Sequence, residues 1–105
     1  MSIKQAKFNI GQLVRHSQSG YRGVIVDIDP EFNRRDVEIK PGEEVLSGKS
    51  EPWYHVLLEA QNLHAYISEQ QLQRDNIGEP IDHVFLDEYF SDFEQDHYVV
   101  RRVLN

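Results

Sequence analysis

The clearest periodicity in the chain lies in Tyr21-Arg22-Gly23-Val24-Ile25-Val26-Asp27-Ile28-Asp29. Val24, Val26 and Ile28 share one parity, and Ile25, Asp27 and Asp29 share the other. Such period-two alternation predicts a half-buried strand. Gly20 and Gly23 flank its start, as a tight turn followed by a bulge or a close backbone approach requires, and Asp29-Pro30 ends it. Upstream, Phe8-Asn9-Ile10-Gly11-Gln12-Leu13-Val14-Arg15-His16 reads as a turn into a short strand, and Ser17 to Gly20 as a turn. Pro52 to Glu59 is apolar on both parities, the pattern of a strand covered on both faces. Ala60 to Leu63 makes a hairpin loop before a His64–Ile67 strand, which sets Glu59 opposite His64 and Leu57 opposite Tyr66. Ser68 followed by Glu69-Gln70-Gln71-Leu72 predicts a capped helical turn.

Two segments depart from this pattern. Residues 31–51 are charged, contain Pro41-Gly42 and Gly48, and have no clean period, so they read as a long acidic loop with one helical turn around Glu43–Leu46. From Asp82 to Phe93 the spacing becomes helical. At about 100° per residue, Phe85, Leu86, Tyr89, Phe90 and Phe93 fill one arc of roughly 140°. Asp87, Glu88 and Glu94 lie on the other side, and Asp82 can cap the helix. An extended tail, His97 to Leu104, follows. The expected fold is mainly β, a single domain over residues 1–105. It comprises a small SH3-like antiparallel barrel at about 6–75, a long acidic loop, and a C-terminal amphipathic helix and tail at about 81–105.

Composition narrows the function. The chain has 105 residues and no cysteine, so one core must hold it without disulfides or thiolate-bound zinc. No apolar run approaches the roughly 20 residues of a membrane span, and MSIKQAKFNIG lacks a signal-peptide core, so a cytoplasmic protein without membrane contact is expected. The net charge of −7 is uneven: residues 1–26 carry +4, residues 27–72 carry −6, and residues 73–105 carry −5. Lys4, Lys7, Arg15 and Arg22, with the aromatic and imidazole rings of Tyr21, Trp53, Tyr54 and His55, are the candidate surface for a partner or for DNA. If only these cations met duplex DNA, the log–log salt slope would be about −3.6. Phe85, Tyr89, Phe90 and Phe93 are the candidate oligomer surface.

Catalytic signals are weak. Ser17, Ser19, Ser47 and Ser50 sit in turn-like contexts, none within G-x-S-x-G. His16, His55, His64, His83 and His97 show neither H-E-x-x-H nor H-x₃-H spacing, and Gly20-Tyr21-Arg22-Gly23 is too short for a nucleotide fingerprint. Asp27 and Asp29, two apart on one strand face, are the pair that an enzyme would use with a histidine. The expectation is a protein that is not an enzyme, with no catalytic residue, no cofactor and no metal.

Four blocks go together: Phe8 to His16, Gly20 to Pro30, Pro52-Trp53-Tyr54-His55-Val56 after the acidic loop, and Tyr66-Ile67-Ser68-Glu69-Gln70. In order and spacing, over roughly residues 6–82, they resemble the HspQ or YccV-like family, also called the hemimethylated-DNA-binding family. The resemblance implies a small cytoplasmic bacterial β-barrel protein without catalytic activity. It implies a heat-shock role in which the Lon protease degrades denatured proteins and the replication initiator, and a DNA role in which hemimethylated DNA is bound. It also implies a homo-oligomer, trimers included. The acidic, aromatic tail departs from the shorter tails of that family. The charge of −11 outside residues 1–26 opposes DNA, so Lon and unfolded client proteins are the favoured partners, with hemimethylated DNA as the alternative. Trp53-Tyr54, the 31–51 loop and the 98–105 tail are the features an adaptor would use.

Overall fold

A computed structural model describes residues 6–31 and 51–101. Lys4, the helical turn expected at Glu43–Leu46 and most of the 31–51 loop lie outside the described residues. In chain order the elements are β1 (Leu13–His16), β2 (Arg22–Asp29), β3 (Trp53–Leu58), β4 (Leu63–Ser68), β5 (Leu72–Arg74), a short helix α1 (Leu86–Tyr89), β6 (Phe90–Glu94) and β7 (His97–Val100). The first five strands form one antiparallel sheet in the order β4-β3-β2-β1-β5, and β6 and β7 form a separate hairpin.

The two edge strands of that sheet are consecutive in sequence. They are joined only by a 3-10 turn, Glu69–Gln71, where the helical turn was expected; Ser68 occupies its N-cap position without a side-chain cap bond. A flat five-stranded sheet would hold its edges roughly 19 Å apart, at about 4.8 Å per strand. Four Cα steps from Ser68 to Leu72 reach at most roughly 14 Å. The sheet therefore curls. Among the described residues no ladder joins β4 to β5, so of the expected SH3-like barrel the structure shows an open, curled antiparallel sheet without closure.

Curling gives the sheet an inside and an outside. Val14, Ile25, Tyr54, Val56, Leu58, Ile67 and Leu72, drawn from all five strands, pack with Phe8 on the inside. Leu13, Val24, Val26 and Leu57 face outward and are covered by Ile81, Phe90 and Tyr98. Strand β3 is thus apolar on both parities because it is covered on both faces. Strand β2 departs from strict alternation. A bulge between Ile25 and Asp27 shifts its register against β3, so Ile28 packs with the inner core instead of sharing a face with Val24 and Val26. One inserted residue reverses the parity beyond it. At the β3–β4 hairpin, Leu58 pairs with Leu63 and Leu57 with His64, a register two residues from the expected one. The displacement is even, so every side chain keeps its face. The loop sits one residue earlier because Gln61 and Asn62 take the positive-φ positions.

The amphipathic helix expected from Asp82 to Phe93 is not formed. Only Leu86–Tyr89 is helical, and Phe90–Glu94 is a strand paired with β7. A bulge between Phe90 and Asp92 explains the misleading pattern. A bulged strand places residues three apart on one side, which imitates helical spacing. Phe90 and Phe93 accordingly both pack on Tyr98, with ring centroids 5.2 and 4.8 Å away. Their burial against the sheet outweighs the intrinsic preference of a short isolated helix. The Tyr98 hydroxyl donates to the Ile81 carbonyl at 3.1 Å and accepts the Ile81 N–H at 3.0 Å, which pins the connecting segment.

The hairpin docks on Gly11, whose N–H donates to Ile25 O and whose carbonyl accepts the Tyr98 N–H, both at 2.8 Å. Gly11 has φ +91°, and a Cβ there would overlap the Tyr98 carbonyl oxygen. Gly20 has φ +77° but open space around it. The two positions separate strain from collision. Gly20→Ala is expected to cost about 1 kcal/mol, the price of left-handed backbone alone, and Gly11→Ala about 3 kcal/mol or more, as the clash adds to the strain. Urea unfolding midpoints measure both; equal losses would contradict the docking role of Gly11.

Candidate functional site

The β1–β2 ladder sets Arg15 directly opposite Arg22. Two guanidiniums side by side would repel, yet β5 brings Asp75 against both. Arg22 grips the carboxylate with two bonds, Nε to Oδ1 at 3.2 Å and Nη2 to Oδ2 at 3.0 Å, and Arg15 Nη2 reaches Oδ1 at 3.4 Å. The Gly78 N–H donates to Oδ2 at 3.3 Å. Arg22 also donates to the Glu79 carbonyl at 2.5 Å and lies 3.9 Å from Glu59. The Asp75 side chain is wholly buried, and that of Arg22 is 16% exposed. Burial is the largest influence on the Asp75 carboxyl and pushes its pKa up. The Arg22 bonds, the Gly78 N–H, the Arg22 charge and the Arg15 bond together outweigh it and hold the pKa below the ordinary value.

This arrangement changes the meaning of the basic N-terminal stretch. Arg15 and Arg22 share one buried acid that lies 60 and 53 residues away in sequence and offsets half of their combined charge, which composition along the chain could not reveal. Lys7 is exposed, and its backbone N–H donates to Glu69 Oε1 at 2.7 Å. Tyr21 is exposed at the turn before β2. Tyr54 is fully buried, so it forms core and not a contact surface. Its hydroxyl donates to Glu69 Oε1 at 2.7 Å and accepts the Phe8 N–H at 3.3 Å; burial, then the Glu69 bond, raise its pKa above the usual phenol range.

Trp53 and His55 lie on the outer face, beside the part covered by the hairpin. The Trp53 ring, 8% exposed, stacks on Tyr66 at 5.2 Å, and His55 leans on Tyr66 at 4.6 Å. Asp29 joins them: the Tyr66 hydroxyl donates to its Oδ2 at 2.7 Å, and His55 Nε2 stands 3.3 Å from the same oxygen. Of the aromatic set expected to form an oligomer surface, Phe90 is buried at 3% exposure and Tyr89 and Phe93 are half-buried against the outer core. Only Phe85 is exposed. The hairpin has used the other rings to cover its own sheet.

Phe85 instead stands on a segment that hydrogen bonds hold against the end of β4, a placement the sequence pattern did not indicate. Leu63, Val84 and Phe85 are 43%, 67% and 43% exposed. His83, itself buried, holds the segment to the end of β4. Its Nε2 donates to the Leu63 carbonyl and its Nδ1 accepts the Phe85 N–H, both at 3.1 Å, which selects the Nε2–H tautomer. The Val84 N–H donates to Asn62 Oδ1 at 3.2 Å. A separate cavity of about 430 Å³ opens between the Asn9–Leu13 turn, Arg74-Asp75 and Asp96-His97. A smaller one of about 210 Å³ lies beside α1 and β6. Asp27 and Asp29 line neither cavity. No helix among the described residues is long and apolar enough to cross a membrane.

A small, mainly β domain, whose outer sheet face carries the Arg15-Arg22-Asp75 group and the rings of Trp53, His55 and Tyr66, is the class these features define. Residues 6–97 match the family model described as hemimethylated DNA-binding protein YccV like, and the chain belongs to this YccV-like family. The match runs past residue 82 through β6, so the aromatic segment at 85–93 lies within the family's span rather than outside it.

Asp75 makes two outcomes measurable. Removing its charge strips the half-buried Arg22 of its bidentate partner and leaves it only Glu59 at 3.9 Å and the Glu79 carbonyl, so Asp75→Asn is expected to cost about 3 kcal/mol. Because its pKa is lowered in the folded state, its contribution is complete above the ordinary aspartate value of about 3.9 and is lost as pH falls through the folded value. Unfolding free energy of the parent chain should therefore drop on acidification below about pH 4, and more steeply than that of Asp75→Asn. Identical pH slopes in chemical denaturation would refute this role.

Proposed function

We propose that this chain is a non-catalytic, cytoplasmic proteostasis factor that binds unfolded proteins and promotes their degradation, and that of the replication initiator, through the Lon protease. The observation that carries this reading is the engagement of Arg15 and Arg22 by Asp75, which ties up Arg22 and offsets half the charge of the pair in a chain already at −7. The exposed Leu63, Val84 and Phe85, brought to one end of β4 by the His83 and Asn62 bonds, offer a protein partner apolar contact, which unfolded clients also expose. Self-assembly into a homo-oligomer, a trimer among the options, accompanies this reading.

The family description favours a second reading, a protein that prefers hemimethylated DNA and acts on replication initiation. Lys7 is then its exposed cation among the described candidates, and Arg15, with 39% of its side chain exposed, the next available.

Degradation assays with purified Lon separate the two. The protein is expected to accelerate loss of a denatured substrate. Val84→Asp combined with Phe85→Ser should reduce that acceleration several-fold while leaving the unfolding free energy within about 1 kcal/mol of the parent, as two surface substitutions do. No change in rate for any substrate would count against the adaptor reading. Gel shifts at near-physiological salt with hemimethylated, unmethylated and fully methylated duplexes test the second. Clear preference for the hemimethylated form would establish it, and equal, feeble binding to all three would remove it. Light scattering that gives a monomer near 12.3 kDa would remove the oligomer.

A further inference from the structure

We propose that Asp27, Asp29 and His55 form a binding site for one divalent transition-metal ion, with Zn²⁺ as the ion the donor set suits. Two carboxylates along one strand are ordinary solvated edge. Here the β2 bulge turns them onto the face of the neighbouring imidazole: Asp27 pairs directly with His55 across the ladder, and Asp29 pairs with Trp53. One ligand atom from each of Asp27, Asp29 and His55 lies within 4.8 Å of the other two, the only such group among the described residues. Mixed imidazole and carboxylate donors suit zinc and its neighbours rather than calcium or magnesium.

A second observation points the same way. His55 Nε2 and Asp29 Oδ2 are 3.3 Å apart. A charge-assisted hydrogen bond would close to about 2.7–2.9 Å. Two donors held by one tetrahedral zinc at about 2.0–2.1 Å stand roughly 3.3–3.4 Å apart. The pair, within hydrogen-bond reach as it stands, is also spaced as neighbouring ligands are. Asp27 is exposed and its Oδ1 accepts the Ile28 N–H at 2.8 Å, so its other carboxylate oxygen can turn toward the ion without disturbing the core.

The surroundings orient the donors. The Tyr66 hydroxyl holds Asp29 Oδ2 at 2.7 Å, the outer-shell bond a ligating carboxylate commonly receives, and the Tyr66 ring fixes the His55 plane from 4.6 Å. Three protein donors leave a fourth position for water or for a side chain of a bound partner. The molecule also contains its own control. Asp96 and His97 stand 3.4 Å apart, but both are largely exposed, and they lack a third donor.

The site is independent of the protein-binding and DNA-binding readings, and its test reads neither. Titration of the full chain with Zn²⁺ by calorimetry is expected to give one ion per chain with micromolar or tighter affinity. Asp27→Asn and His55→Ala should each weaken it at least tenfold, Tyr66→Phe by about tenfold, and His97→Ala not at all. Circular dichroism of the metal-free variants checks that each is folded, and the exposed Asp27 supplies a variant that leaves the core intact. Co²⁺ in place of Zn²⁺ should give the visible absorption of a tetrahedral centre in the parent chain and lose it in Asp27→Asn. No saturable binding at 100 µM Zn²⁺, equal affinity in parent and His55→Ala, or a loss in His97→Ala matching that in His55→Ala would each overturn the assignment.

Discussion

The three-residue connection between β4 and β5 constrains everything built around it. It joins strands at opposite edges of a five-stranded sheet, and its reach is too short for a flat one. Curling is the geometric consequence, and the inner core follows from curling, since only a curled sheet lets Val14, Tyr54, Ile67 and Leu72 converge on Phe8. Curling also leaves an outer face with apolar residues that water would otherwise meet. Leu13, Val24, Val26 and Leu57 need a cover, and the β6–β7 hairpin supplies it. The fold is one sheet used twice, first around itself and then under its own C-terminal segment.

Strands β2 to β4 were legible because their side chains obey simple rules. The double-sided burial of β3 was visible in its unbroken apolar run, and the near turn into β2 was visible in Gly20. Bulges obscured the rest. A bulge in β2 moved Ile28 inward, and a bulge in β6 gave Phe90 and Phe93 helical spacing. In both places one extra residue altered the period, and a one-dimensional pattern cannot register a residue that the partner strand skips. The edge of the hairpin loop shifted for a different reason: the backbone needs of Gln61 and Asn62 decided it, and neither residue announces positive φ as glycine does.

The candidate site shows the same division. Asp27, Asp29 and His55 could be singled out by type, but their convergence depends on the ladder between β2 and β3. Arg15 and Arg22 could be singled out as cations, yet Asp75 gave no sign of its part, standing in the polar run Gln73-Arg74-Asp75-Asn76. Charge counted along the chain suggested a basic patch; charge counted in space finds a guanidinium pair closed over a buried carboxylate. Electrostatic footprints in a domain this small are set by strand order more than by composition.

Strands β2 and β3 are neighbours, and Asp29 stands opposite Trp53. The chain between them therefore leaves and re-enters the sheet at adjacent points. The entropy of closing such an excursion grows only logarithmically, at about 0.6 kcal/mol for each doubling of its length. Its length and composition can consequently drift, or a whole foreign segment be accommodated, with little effect on the stability of the sheet. The connection that cannot drift is the short one between β4 and β5, so the two links of this sheet face opposite tolerances to insertion.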